Sequence, residues 1–374
     1  MAALLFAEHL PYVGSTNLIV QLDSGLDSNT RLSITESGKC VVLQHHGKEE
    51  TIKLHSAVSD HQHDSKLLPA PPSTTRLSRL SAVTRSRRSV SSTEHHKSPW
   101  TAGDLPSSSR FLCAGFTSGG KACHATILDG SAVKSYKDLP SEGWADMMDL
   151  WHCHKPEEDH DHSAANGKGY SASSKLAARD GVGFVDSLTI LVAAEDCRNV
   201  NVLDDESKGV LCAQCDNLVG EVDSLSSGIR LFKPLLALGS TDAEATVSHD
   251  MSKWLSSYLL SLVDTSGIRK FQGRYKDFTI WIFSPLVYYS LSSRHGDPQA
   301  AVKIFYKNQL VQDRSQSAKL NTQTMQLDDL TLSHHLEAAL ADELGTANRI
   351  LPDDARRFQD WNVAFLDRFP PERA

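Results

Sequence analysis

Residues 3–56 carry short apolar runs broken by turn residues, and they read as strands. Asn17-Leu-Ile-Val-Gln-Leu22 is one such run. Arg31-Leu-Ser-Ile-Thr-Glu36 and Cys40-Val-Val-Leu-Gln44 flank Ser37-Gly38, a hairpin signal, and Thr51-Ile-Lys-Leu54 follows another glycine-containing turn. An antiparallel β-layer over residues 1–56 is the simplest expectation. From Lys66 to Arg110 few apolar residues recur at any period, and order returns at Phe111. Trp144, Met147, Met148 and Trp151 share one face of a short helix that starts near Pro140-Ser141. Residues 155–182 are polar and glycine-rich, as in a loop. Phe184 to Ala193 predicts a strand, and Gly209-Val-Leu-Cys212 begins another.

The C-terminal third mixes both periods. Trp254, Leu255, Tyr258, Leu259 and Leu262 mark a helix ending near Gly267. Phe278 to Tyr289 is apolar on both alternating sets, the mark of a strand covered on both faces, and Val302-Lys-Ile-Phe-Tyr306 is a further strand. Leu332, Leu336, Leu340 and Leu344 recur every fourth residue, with Gly345 placed to stop the helix. No internal repeat of a few tens of residues is visible.

Composition sharpens this picture in three places. A chain of 374 residues suits two compact lobes or one large mixed fold. There are 38 Lys and Arg against 46 Asp and Glu, a net charge of −8, the wrong sign for a dedicated nucleic-acid binder. The segment from Lys66 to Arg110 runs the other way, with eight basic and two acidic residues, so +6 there and −14 elsewhere. Rich in Ser, Thr and Pro, it lacks the apolar area to offset chain entropy, which predicts a disordered insertion over 57–110. Its centre, Arg85-Ser-Arg-Arg-Ser89, suits a kinase target or an address signal, but a plain solvated insertion is the simpler reading. A flexible arm of this charge would hold RNA or DNA only in a salt-sensitive, non-specific way. No apolar run approaches the roughly 18–20 residues of a membrane span. The N-terminus lacks the basic start and apolar stretch of a secretory signal. The expected setting is cytoplasmic, nuclear or both.

Seven cysteines are too few for a disulfide scaffold, and in a reducing compartment clustered thiols more often hold a metal or do chemistry. Cys212-Ala-Gln-Cys215 is the sharpest local feature, because two thiolates at this spacing can grip one Zn²⁺ from a tight knuckle. Cys113 and Cys123 are the best complement. They bracket Thr117-Ser-Gly-Gly120, a turn able to fold one thiol back toward the other. A site joining segments so far apart would contribute on the order of 10 kcal/mol to folding; the plainer reading is buried small hydrophobes. A redox role for Cys212 and Cys215 would need a helix N-terminus beside a βαβ unit, and none is visible.

Trp151-His-Cys-His154 forms a second cluster, followed by His160-Asp-His162 in a polar stretch. Cys153 offers a nucleophile, yet its neighbours His152 and His154 point to other faces and are not obvious bases for it. Cys153 and His154 are equally alternates as metal ligands. Phosphate-binding, dinucleotide, nucleophile-elbow and H-E-x-x-H signatures are missing.

Leu139-Pro-Ser-Glu-Gly-Trp144, then Asp146-Met-Met-Asp-Leu-Trp-His-Cys-His154, then Cys212-Ala-Gln-Cys215 with Leu218-Val-Gly220 form a recognisable combination. The sequence resembles the HECT-like ubiquitin-ligase family that binds ubiquitin-conjugating enzymes, and is similar to its fungal members. Leu231-Phe-Lys233, Val302-Lys-Ile-Phe-Tyr306, Leu351-Pro352 and Trp361-Asn-Val-Ala-Phe-Leu366 extend the resemblance over nearly the whole chain outside the basic insertion. The family usually shows its first cysteine pair as a second C-x-x-C, whereas nine residues separate Cys113 from Cys123 here. Either an insertion bulges that knuckle, or Cys113 gives way to Cys153 or His154. The resemblance implies Zn²⁺, ubiquitin and a ubiquitin-conjugating enzyme as partners. It also implies E3 ligase activity, with Cys153 the candidate for a ubiquitin thioester. A non-enzymatic alternative is a zinc-stapled chaperone for the endonuclease of messenger-RNA 3′-end processing, to which members are also linked. The expected fold is a β-rich α+β one: an N-terminal antiparallel sheet over 1–56, the insertion over 57–110, a central zinc knuckle with W-x-C-H over 111–235, and a mixed C-terminal lobe over 236–374.

Overall fold

The computed structural model describes residues 3–22, 30–35, 37–57, 66–67, 80–83, 98–139, 177–239, 246–294, 297–308 and 327–370. These residues are β-rich, with strands in several sheets and two α-helices, Met251–Ser266 and His334–Arg349. Neither described helix is long and apolar enough to cross a membrane.

The chain divides into two units, one formed by Met1–Lys97 with Met251–Ala374 and the other by Ser98–Asp250. Residues 1–56 share a unit with the C-terminal lobe, because Ala3–Leu10 needs a neighbour on each edge and cover on each face. It pairs antiparallel with Ser15–Leu22 on one side and with Phe278–Leu291 on the other. Ala3, Leu5 and Ala7 join a core with Leu32, Val41 and Leu43, while Phe6 faces a second core with Val287, Phe305 and Phe365. Alternation along one strand thus feeds two cores.

The large sheet of this first unit runs in the order Arg357–Phe358, Trp361–Asp367, Gln299–Asn308, Phe278–Leu291, Ala3–Leu10, Ser15–Leu22, Leu80–Val83. Lys270–Gln272 pairs beside Phe278–Leu291 and with Leu327–Asp329. A smaller sheet holds Lys48–Lys53, Cys40–His45, Arg31–Ile34 and Lys66–Leu67. The helix His334–Arg349 continues through Gly345, where a stop is expected, because Leu344 and Ala347 on either side are both buried. A helical glycine costs only about 1 kcal/mol, which that packing outweighs. Glu337 on this helix is fully buried, and its carboxylate accepts N–H bonds from Arg274, Tyr275 and Lys276. It therefore fixes the turn between Lys270–Gln272 and Phe278–Leu291.

The second unit contains a seven-stranded sheet in the order Ser135–Asp138, Val182–Val185, Thr189–Val192, Gly228–Phe232, Leu218–Asp223, Gly209–Cys212, Val200–Val202. Its four-stranded sheet runs Thr246–Val247, Leu236–Gly239, Arg110–Cys113, Thr126–Leu128. The single strand expected over Phe184–Ala193 is two. The Asp186 carboxylate accepts N–H bonds from Leu188 and Thr189, closing a turn that folds the apolar run on itself. Residues 98–110, expected within a disordered insertion, are folded here. Trp100 and Leu105 are buried, and the Trp100 ring meets Phe111 edge-on at 5.6 Å. Two large apolar groups anchor this stretch without any periodic pattern. Strands at Lys66–Leu67 and Leu80–Val83 fall within the same expected insertion.

Candidate metal centre

Two strand ends of the second unit supply the innermost thiols. Arg110–Cys113 ends on Cys113 and Gly209–Cys212 ends on Cys212, and both cysteines are buried. The outer thiols, Cys123 and Cys215, sit half-buried on the loops that follow.

The nine residues after Cys113 are a small hairpin. Phe116 bridges Ala122, Thr117 N–H donates to the Lys121 carbonyl at 2.8 Å, and Gly120 closes the turn with φ of +74°. Cys123 N–H then donates to the Gly115 carbonyl at 2.8 Å, which returns Cys123 to the level of Cys113. The long spacing is thus taken up by a hairpin that keeps Cys113 and Cys123 close together. The second loop is tighter. Asp216 N–H donates to the Cys212 carbonyl at 2.9 Å, Cys212 N–H donates to the Asn217 carbonyl at 2.8 Å, and Asp216 takes a left-handed φ of +57°.

Across the two loops, Cys113 Sγ lies 3.6 Å from Cys215 Sγ, and Cys123 Sγ lies 3.7 Å from Cys212 Sγ. All four sulfurs fall within 4.8 Å of one another. A disulfide needs about 2.05 Å, so these are free thiols gathered around a common centre. Such a set can hold a metal ion.

Asn217 ties the loops together, a role with no signal in the spacing beyond its position two residues after Cys215. Its Nδ2 donates to Cys215 Sγ at 3.2 Å and to the Phe116 carbonyl at 3.0 Å. Gly115 permits this approach, since a Cβ there would meet Asn217 Nδ2 at 2.4 Å. Gly115 N–H also lies 3.3 Å from Cys113 Sγ, a donor aimed at sulfur. Burial raises the Cys113 thiol pKa far above its usual range, and burial raises that of Cys123 as well. Burial pushes Cys215 the same way, but hydrogen bonds from the Asn217 backbone and side-chain N–H groups, and then from the Cys123 and Cys113 thiols, together outweigh it and leave Cys215 lowered to about 7.

The structure brings together Cys113, Cys123, Cys212 and Cys215. Cys153, His154 and the residues of the helix expected over Trp144–Trp151 lie outside the described residues, as do His152, His160 and His162. The remaining described cysteines are not members of the group: Cys40 belongs to the first unit, and the Cys197 thiol lies 3.9 Å from the Ala193 carbonyl.

Comparison with known proteins gives this site its context. The profile of the HECT-like ubiquitin-conjugating enzyme (E2)-binding family matches residues 8–363, nearly the whole chain. The chain belongs to that family. Membership gives the protein a ubiquitin-pathway role and implies a ubiquitin-conjugating enzyme as partner. Relatives of this E2-binding family member include the uncharacterized protein YJR141W of Saccharomyces cerevisiae, 24% identical over 276 residues, covering 71% of this chain and 72% of the relative. The uncharacterized protein C1734.10c of Schizosaccharomyces pombe is 22% identical over 261 residues, covering 67% and 72%. No solved structure matches the chain.

Proposed function

We propose that this protein is a zinc-bearing HECT-like E3 factor that binds a charged ubiquitin-conjugating enzyme and promotes ubiquitin transfer to a substrate lysine. The observation that carries the reading is the convergence of four cysteines from loops 89 and 102 residues apart, in a chain of an E2-binding family. Sulfurs about 2.3 Å from a tetrahedral Zn²⁺ stand about 3.8 Å from one another, and two of the pairs here are 3.6 and 3.7 Å apart, with all four within 4.8 Å. Four sulfur donors select zinc or iron among common metals, and a closed site with no open position is structural. Cys113, Cys123, Cys212 and Cys215 would hold the ion, whose chemistry is to neutralise the thiolates and pin the two loops together. Gly115 and Asn217 orient the sulfurs with N–H donors.

Transfer itself has two routes. In the covalent one, the Cys153 thiolate attacks the thioester carbonyl of the charged enzyme and expels that enzyme's cysteine thiolate. A substrate lysine amine then attacks the new thioester, loses its proton and expels Cys153. In the other, the protein holds the charged enzyme beside the lysine and no adduct forms. Incubation with ubiquitin, activating enzyme and a panel of conjugating enzymes separates them. The covalent route gives a reductant-sensitive ubiquitin adduct that vanishes in Cys153→Ser.

A non-enzymatic reading is favoured by one observation: four of the six described cysteines are drawn into one cluster and so withdrawn from nucleophilic work. On that reading the protein is a zinc-stapled binding partner or chaperone, for a client such as the endonuclease of messenger-RNA 3′-end processing. Partner binding then survives Cys153→Ser and is lost in Cys212→Ser. Substrate ubiquitination abolished by Cys153→Ser would contradict it.

A further inference from the structure

The hairpin between Cys113 and Cys123 carries an aromatic side chain that the four-thiol cluster does not use. Phe116 is 64% exposed, although its carbonyl is held by Asn217 and its backbone by the bridge to Ala122. A phenyl ring left in water costs free energy unless something else covers it. Here the backbone beneath it is fixed from three directions: by the Gly115–Cys123 bond, by the Phe116–Ala122 bridge, and by Asn217, which also grips Cys215 Sγ. The result is a rigid pedestal under an exposed ring, the pre-organised form in which an anchor residue binds at the least entropic cost.

The surroundings of the ring match the centre of a protein interface. Ala122 is exposed directly across the hairpin, and partners across such a pair share a face. Ala213 and Gln214, exposed on the opposite knuckle, add small or neutral side chains, with Asp216 the one charged residue exposed on that knuckle, and Cys123 Sγ lies 3.8 Å from Gln214 Oε1. From Ala114 to Cys123 the hairpin carries a single charged residue, Lys121. An aromatic centre in charge-poor surroundings is the composition of an interface core, whereas solvated surfaces are rich in Lys and Glu.

We propose that this tip, with Phe116 as its anchor and Ala122 beside it, is the surface on which the ubiquitin-conjugating enzyme docks, the ring entering an apolar pocket on that protein. The assignment rests on the E2-binding reading above and adds to it where the partner sits. A partner is required by the family, and the tip combines an exposed aromatic with a backbone that the thiol cluster keeps rigid. A second exposed aromatic group, Phe283 and Phe358 on the large sheet of the first unit, serves as the internal rival.

The test is binding of the full-length, metal-loaded chain to a panel of uncharged conjugating enzymes, measured by biolayer interferometry. Metal content and melting temperature are followed for each variant. Phe116→Ala is expected to weaken binding at least tenfold with metal content and melting unchanged, while Phe116→Trp keeps most of the affinity. Ala122→Asp, which places a charge beside the ring without touching the thiols, is expected to weaken binding similarly, and it decides the matter if Phe116→Ala loses metal. Phe358→Ala is expected to bind as the wild type does. Wild-type affinity in both Phe116→Ala and Ala122→Asp overturns the docking surface and leaves the E2-binding reading standing. Loss in Phe358→Ala alone also overturns it and moves the partner to the sheet. A wild-type chain that binds no conjugating enzyme overturns the E2-binding reading itself.

Discussion

Asn217 makes two hydrogen bonds with one amide group, and through them the two cysteine loops become one object. Groups that orient metal ligands typically change affinity 10- to 100-fold when removed. Asn217→Ala should therefore weaken metal binding by roughly that factor, measured by competition with a chromophoric chelator. Unchanged affinity would mean that the amide only decorates the loop. His9 gives a residue-scale prediction in the other unit. It is buried, its Nδ1 lies 2.9 Å from Thr16 Oγ1, and burial lowers its pKa. Its neighbour His55 is exposed overall but has one ring face stacked on Tyr288, and it is lowered to about 4, first by loss of water and then by the charges of His9 and Lys39. Below the unfolded value near 6.5 the unfolded chain binds protons that the folded chain refuses, so stability falls as pH drops from about 6.5 toward 4. Urea unfolding at pH 7.5 and 5.0 should show this loss, and His9→Gln with His55→Gln should flatten it. An equal acid loss in the double variant would place its origin elsewhere. Cys212 and Cys215 were legible in the sequence because a tight knuckle is local chemistry. Asn217 was not, because its role depends on Gly115, a residue 102 positions away that leaves room for it.

At the scale of elements, the turn held by Glu337 shows how a buried carboxylate replaces an apolar contact. Three N–H groups from Arg274, Tyr275 and Lys276 converge on it. Glu337→Ala strands those donors, and since water can reach some of them the expected loss is about 3 kcal/mol. Denaturant unfolding measures it directly, with metal content unchanged because the thiols lie in the other unit; a loss below about 0.5 kcal/mol would contradict the clamp. Strands with clear alternation or a doubly apolar run, such as Phe278–Leu291 and Gln299–Asn308, were legible within a few residues. The division of Phe184–Ala193 was hidden, because a buried apolar run reads the same whether one strand or two cross it. Asp186 alone marks the turn. The anchoring of 98–110 was hidden for a related reason: Trp100 and Leu105 act by depth of burial, and two residues make no period.

For the whole molecule, the first unit is sewn from both ends of the chain. Ala3–Leu10 is an interior strand of the large sheet, so a chain lacking residues 1–22 should lose cooperative unfolding of that unit in calorimetry. A transition of unchanged enthalpy would contradict the topology. The sequence conveyed the β-rich α+β character and the family, yet it could not convey that the two ends pair, since strand pairing across nearly 300 residues leaves no local trace. The second unit, Ser98–Asp250, contains all four clustered cysteines. The most direct test of the account is metal analysis of the purified full-length chain by inductively coupled plasma mass spectrometry, with melting followed in parallel. One zinc per chain is expected, lost together with a large drop in melting temperature in Cys212→Ser and in Cys123→Ser, and retained in Cys40→Ser. A folded wild-type chain without metal, or full zinc content in Cys212→Ser, would contradict it.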